Sequence, residues 1–437
     1  MNKYPNAIKE KLQSLIKEMS VSPELYVKNP HKDFTRNRKL PFESVIQLLL
    51  SMGGNSIYKE LLEAQGYDVN TATTSAFVQQ RDKILPFALE SLFHQFTEHF
   101  TDTQKYKGYR LLAVDGSDMN IAANPNDHDT YFQTSEDAKG YSLLHLNAMY
   151  DLCSRIYVDA TIQSPRCANE NKALCEMVDR SQIKDNVIVM ADRLYESYNN
   201  FAHIETKGWN YVIRIRDLGS TGILSALPLP TDGEFDLCFS RILTKKQTNE
   251  VKAHPEIYRF IPSTSTFDFL DLHTNKFYPI SFRVVRFKID DDYYETVITN
   301  LNRNDFRPEE LKMLYRMRWG IETSFRELKY AVGLTNFHAK KQEYIVQEIF
   351  ARMTMYNFAE MITLHVVISK SNTKHAYQVN FTVAIQICRH FLRYRGNAPP
   401  PDVEALIEKN LLPIRLDRQS TRKIKAKSAS SFIYRVA

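Results

Sequence analysis

Apolar positions in the first hundred residues recur at helical spacing and are interrupted by glycine and hydroxyl-bearing residues. Ile46, Leu49 and Leu50 open one such pattern, which runs out at Gly53-Gly54. A second piece spans Tyr58 to Ala64 and stops near Gly66, and a third begins at Thr73-Thr74-Ser75. There, Thr74 or Ser75 can cap a helix carrying Gln79, Gln80, Arg81 and Lys83. Residues 1–104 therefore read as a helical region. Its polar and basic faces, preceded by Arg36, Arg38 and Lys39, suit docking on DNA, although a plain helical bundle has the same signature.

From residue 105 the period changes. Leu111-Leu112-Ala113-Val114 is a short apolar run ending in Asp115-Gly116-Ser117. Leu143–Tyr150 and Arg155–Ile162 form two strand patterns joined by a turn, and a helical stretch covers Asn169–Arg180. The run Val187–Ala191 ends at Asp192. A helical segment over Ser197–Thr206 then leads to the strand Tyr211–Arg216. Strands alternating with helices predict a mixed α/β core over 105–216.

Residues 217–292 have another texture: short β-like runs (Phe235–Phe239, Ile257–Ile261, Ile280–Phe287) separated by Pro, Asp, Thr and Asn. This predicts a β-rich insertion. The core resumes over 293–370 with Glu295–Asn300, after which Pro308-Glu309-Glu310 opens a long helix. Further helices are expected over about 342–368 and 376–396, and residues 371–437 form a helical and basic C-terminal region. After Ile414 stand seven basic residues (Arg415, Arg418, Arg422, Lys423, Lys425, Lys427 and Arg435) against Asp417.

Composition narrows the picture. With 437 residues and 43% apolar content, the chain has material for two or three domains. Its net charge of +6 permits a nucleic-acid partner without requiring one. The five cysteines lack the C-x-x-C spacing of a zinc site and read as free thiols of a reducing compartment. Neither an apolar segment near Met1-Asn2-Lys3-Tyr4-Pro5 nor a run long enough to span a bilayer is found, so a soluble protein is expected.

The densest chemistry lies on the helix opened by Pro308. Tyr315, Arg318, Glu322 and Lys329 stand at offsets of 0, 3, 7 and 14. At about 100° per residue they share an arc of about 60°, beside a separate apolar stripe of Leu314, Ile321, Phe325 and Leu328. Such an arc would hold one carboxylate beside a polyanion. Arg318 and Glu322 are also an i,i+4 pair of the kind common on wet helix faces.

Asp115 and Asp192 give the spacing its meaning. Each directly follows an apolar run, so adjacent parallel strands would bring both carboxylates to one crevice. Asp118 is close enough to compete with Asp115, which is preferred as the residue at the strand end. Asp, Asp and Glu are hard oxygen ligands that favour Mg²⁺ or Mn²⁺, two of which can drive in-line phosphoryl transfer.

Tyr-x2-Arg-x3-Glu-x6-Lys, met by Tyr315, Arg318, Glu322 and Lys329, resembles the YREK signature of DDE transposases of the insertion-sequence-four family. Val114-Asp115-Gly116-Ser117 and Ala191-Asp192-Arg193-Leu194-Tyr195 resemble the two acidic blocks of that family. The resemblance covers about residues 35–365. It implies a ribonuclease-H-like core with Asp115, Asp192 and Glu322 as catalytic triad and as ligands of two Mg²⁺ or Mn²⁺ ions. It also implies phosphate contacts from Tyr315, Arg318 and Lys329, with Arg193 and Arg214 as further DNA contacts. The implied partners are double-stranded DNA (terminal inverted repeats and target) and a second copy in a synaptic homodimer, in the bacterial cytoplasm at the nucleoid.

The implied activity is metal-dependent cleavage at element ends followed by strand transfer. A domesticated DNA-binding protein, or a nuclease without strand transfer, is the alternative. One departure concerns excision: some members stack a flipped base on a Trp in the insertion, whereas the two tryptophans here are Trp209 and Trp319, both outside it. An aromatic of the insertion, such as Phe267 or Phe269, would have to take that place.

Overall fold

A computed structural model describes residues 2–36, 38–100, 104–219, 222–272, 275–290, 293–366, 376–394 and 399–414. The basic stretch after Ile414 lies outside the described residues. Helices α1 (Lys3–Val21), α2 (Phe42–Ser51), α3 (Ile57–Ala64), α4 (Thr74–Arg81) and α5 (Pro86–Glu98) come first. The cap of α4 is Thr73, whose side chain accepts from the Ala76 amide, rather than Thr74 or Ser75.

The central sheet begins with β1 (Tyr109–Ile121), β2 (Tyr131–Phe132), β3 (Tyr141–Asp151) and β4 (Ile156–Gln163). Helix α6 (Glu170–Arg180), strand β5 (Asn186–Ala191), helix α7 (Tyr198–Thr206) and strand β6 (Asn210–Ile215) follow. Then come β7 (Phe235–Thr244), α8 (Asn249–Ala253), β8 (Tyr258–Phe260), β9 (Tyr278–Asp290) and β10 (Tyr293–Thr299). The chain continues through α9 (Pro308–Met317), α10 (Trp319–Tyr330) and α11 (Gln342–Leu364). It closes with β11 (Tyr377–Gln378), α12 (Phe381–Arg393), α13 (Val403–Lys409) and β12 (Leu412–Pro413).

The strand order is β2-β3-β1-β5-β6-β10-β9-β7-β8, with β4 paired to β3. The pairs β1–β5 and β5–β6 are parallel, whereas β1–β3, β3–β4 and β6–β10 are antiparallel. The expected mixed α/β core is therefore present. The segment 217–292, expected as a β-rich insertion, carries β7, β8 and β9, which lengthen the same sheet: β9 pairs with β10 over seven positions, Tyr293 to Thr299, and with β7 on its other side. Its backbone edge has partners in the core, so hydrogen bonding makes it continuous with the sheet.

Strand β5 reads as an unbroken apolar run because it is covered on both faces. Val187, Val189 and Ala191 pack with Leu174, Met177 and Phe201 of α6 and α7. Ile188 and Met190 pack with Leu311 and Leu314 of α9. A third cluster gathers α1, α2, α5, α10, α11 and α12, together with Ala113 and Leu146 of the sheet.

Helix α11 is the shared spine of that cluster. It is buried from Gln347 through Thr363, including its polar side chains. Such burial is stable only if each polar group finds a partner. Asn357 accepts from the Tyr157 amide and donates to the Tyr157 carbonyl of β4. Arg155 reaches Glu360 at 2.9 Å. Arg81 of α4 meets Glu348 at 2.9 Å and Gln347 at 2.8 Å. Burial alone would raise the Glu348 pKa, but Arg81, His338 and Arg352 hold it well below the usual carboxylate range. These contacts dock the N-terminal helices onto the α/β core.

Removing Arg81 strands a buried carboxylate. The Arg81→Ala variant is expected to lose about 3–5 kcal/mol of stability in urea denaturation at neutral pH. A loss below about 1 kcal/mol would mean that Glu348 does not depend on this partner.

Candidate active site

The parallel pairing of β1 with β5 ends at Ala113↔Met190. Asp115 and Asp192 each stand two residues beyond that pair, so the common register carries them side by side. Asp115 is not at the end of its strand, as the sequence reading expected, because β1 continues to Ile121 along β3. The two strands part here, since β5 ends at Ala191 and Asp192 caps the following turn by accepting from the Leu194 amide at 2.8 Å.

Alternation along β1 separates Asp115 from Asp118. Asp115 and Ser117 face α9 and α10: Arg318 lies 3.9 Å from Asp115, and Lys329 donates to the Ser117 hydroxyl at 2.7 Å. Asp118 faces the other way and meets His145 Nδ1 at 2.8 Å. His145 also lies 3.1 Å from Glu170, the first residue of α6. Burial depresses the imidazole pKa, but Asp118 and Glu170 outweigh it and raise it to about 9. Gly116 between these groups permits the close approach; a Cβ there would come within 2.5 Å of Glu170 Oε1.

The signature helix is not one smooth cylinder. It breaks between α9 and α10 at Arg318, whose amide donates to Tyr315 O, three residues back, at 3.2 Å. The shorter repeat tightens the turn. The YREK side chains do not form an outward stripe, because their face of the helix is turned to β1. Tyr315 is 2% exposed and Arg318 5%, while Glu322 and Lys329 are half-buried. Arg318 spans the acids, with Nη2 3.1 Å from Glu322 and Nη1 3.9 Å from Asp115.

This guanidinium is the local counter-ion of the carboxylates. Burial raises the Asp115 pKa to about 6; the Gly116 amide and Arg318 oppose that rise, while Asp192 and Glu322 add to it. The structure thus brings Asp115 within electrostatic reach of both Asp192 and Glu322. Among the described residues no three His, Cys, Asp or Glu side chains converge tightly enough to ligate one ion as they stand. The donor set is nonetheless all hard oxygen, and its crowded negative charge is what a divalent cation neutralises.

The other expected contacts are differently placed. Lys329 is engaged with Ser117 and the Asp118 carbonyl, clamping α10 onto β1. Arg214 pairs with Glu295 at 3.4 Å and with the Tyr293 hydroxyl. The Tyr315 hydroxyl is buried near Arg214 and Arg318 without a hydrogen bond of good geometry, as is the Tyr195 hydroxyl near the acids. Phe267 is buried against Phe269 and Tyr278, whereas Trp319 is half-exposed beside Arg318.

Arg193 alone of the expected contacts is an exposed cation beside Asp192. It lines a cleft of about 610 Å³ with Arg216 and Arg259, two residues the sequence reading missed. Arg259 comes from β8, 67 positions along the chain from Asp192, so no local motif marks it. Arg216 follows β6 and was legible only as a polar strand end.

No helix among the described residues is long and apolar enough to cross a membrane. Residues 106–358, more than half the chain, match the family model described as a transposase DDE domain. No curated protein matches the sequence. Among solved structures, piggyBac transposase in a synaptic complex with hairpin DNA is similar at 11% identity and a TM-score of 0.47, over 96% of this chain and 87% of that one. The domain match takes in β1, β5 and α10, the elements that carry the three carboxylates, and the chain belongs to the DDE transposase family.

Proposed function

We propose that this protein is a transposase of the insertion-sequence-four type that cleaves DNA at terminal inverted repeats and joins the freed ends to target DNA. The observation that carries the reading is the place of Asp115 where β1 leaves β5, within electrostatic reach of both Asp192 and Glu322, with Arg318 between Asp115 and Glu322. In this reading β1–β6 form a ribonuclease-H-like core, and two copies of the chain synapse the two ends.

The three carboxylates would hold Mg²⁺ or Mn²⁺, which supplies an activated water and charge stabilisation at phosphorus. The protein's own part is positioning. Lys329 fixes α10 against β1, and Arg318 holds Glu322 beside Asp115. Arg318 balances the acids and becomes available to a phosphate oxygen when another cation takes over that task; Tyr315 and Arg214 border it. The exposed Arg193 and Arg216 and the half-buried Arg259 form the first landing place for the backbone. No protein–DNA covalent bond is needed, because the nucleophiles are water and then the freed 3′-hydroxyl.

Incubating the protein with DNA carrying the element's ends, with and without Mg²⁺, and mapping breaks and joined products tests this directly. Asp192→Asn is expected to abolish cleavage while end binding persists, and full cleavage by that variant would sink the assignment. Cleavage without joined products would favour a nuclease.

Arg216→Ala is expected to weaken binding by a similar factor on all duplex sequences and to reduce the salt slope by about one unit. A change in base preference at constant slope would remove Arg216 from the backbone contacts.

The burial of Asp115 also sets a pH signature. The folded Asp115 carboxyl holds its proton up to about 6, whereas an unfolded Asp releases it near about 4. Across that window the folded state binds more protons, so stability falls as pH rises. Asp115→Asn is expected to gain about 1–3 kcal/mol at pH 7 and nothing at pH 4, and to lose the rise in melting temperature that Mg²⁺ gives the parent. Equal Mg²⁺ stabilisation of both proteins would exclude Asp115 as a ligand.

A further inference from the structure

Away from the carboxylates, α3 and the loop before it face α12 across a cleft of about 1050 Å³, lined by Gly53, Asn55, Gln65, Gln386, Arg389 and Arg393. Its floor carries a guanidinium with too few partners. Arg389 is 5% exposed, yet among the described residues its hydrogen bonding amounts to one bond from Nη2 to the Val332 carbonyl, at 2.6 Å. Its Nε is buried without a partner. Among the described residues no carboxylate lies within ion-pair distance of it. A buried arginine is ordinarily matched by an acid, because removing its charge from water is otherwise costly.

The surroundings sharpen the imbalance. Burial, with Arg352 and Arg393 adding to it, lowers the Arg389 pKa to about 10, against a weaker opposing pull from Glu60. Glu60 is already engaged: it meets Arg393 at 2.5 Å and accepts from the Gly53 and Asn55 amides. Glu63 is committed to Arg393 at 2.9 Å. Glu348, deeper in, is shared by Arg81 and Arg352. The Arg352 Nη1 and Arg393 Nε atoms also lack hydrogen-bond partners. Gly53 lets the fork approach the loop, since a Cβ there would lie 3.2 Å from Arg389 Nη1.

We propose that this cleft binds a phosphate group, with Arg389 as its ligand. A planar guanidinium with unused donors matches the paired oxygens of a phosphate. The group could belong to a DNA strand or to a small phosphate compound, which share this chemistry. The site stands apart from the carboxylate centre and does not depend on the transposase reading. Arg389 is nevertheless joined to the end of the signature helix through Val332, just past α10.

The test is calorimetric titration of the full chain with inorganic phosphate at fixed ionic strength, for the parent, Arg389→Gln and Gln386→Glu. Gln386 is exposed on α12, so its replacement brings a competing carboxylate to the cleft without disturbing the core. Saturable binding by the parent is expected, weakened at least tenfold in both variants, with Gln386→Glu melting as the parent does in chloride. Absence of phosphate binding by the parent, or affinity within twofold of the parent in Gln386→Glu, overturns the proposal. A parallel salt titration with duplex DNA identifies the source. A slope reduced by about one in Gln386→Glu assigns the site to a DNA phosphate, and an unchanged slope alongside lost phosphate binding assigns it to a small compound.

Discussion

Like charges brought together by a parting of strands are the constraint around which this protein is organised. Parallel β1 and β5 bring Asp115 and Asp192 in register to the point where their pairing ends, and α10 adds Glu322. Three carboxylates at such a place repel one another, and the fold answers with one buried arginine, held by the break between α9 and α10. Without Arg318 the acids would separate or take up protons. With it they remain assembled, poised for a stronger cation.

The same principle of balanced buried charge joins the two halves of the chain. Helix α11 would be an improbable interior helix by composition, since it carries Gln347, Glu348, Arg352, Asn357 and Glu360. Each of these meets a group from another element: Arg81 of α4, the Tyr157 backbone of β4, and Arg155 at the turn before it. Polar matching thus specifies how the helical layer sits on the sheet, while the surrounding apolar side chains supply most of the driving force. Across from Arg389 the matching is incomplete, which sets that cleft apart from the rest of the interior.

The cationic surface is divided by role. Arg318 and Lys329 are turned inward to hold acids and strands, whereas Arg193, Arg216 and Arg259 line an open cleft next to Asp192. Two of those three come from beyond β6, so the segment that lengthens the sheet also builds one wall beside the candidate centre.

Much of this architecture was legible in the chain. Period-two and period-3.6 patterns mark β3 to β6, α6 and α7 because those elements bury one face or both against a uniform core. The acids after two apolar runs, and the spacing from Tyr315 to Lys329, announced the carboxylate centre. What the chain could not disclose depended on distant partners. Strand continuity between the core and residues 217–292 comes from backbone pairing, which side-chain pattern does not encode. The choice of face separating Asp115 from Asp118 needed β1 to run past both. The burial of Tyr315 and Arg318 came from packing of that helix face against the sheet, which a helical wheel does not show. Sequence determined which groups were available and on which elements; the tertiary structure decided which of them faced each other, because electrostatic neighbours are set by packing rather than by order along the chain.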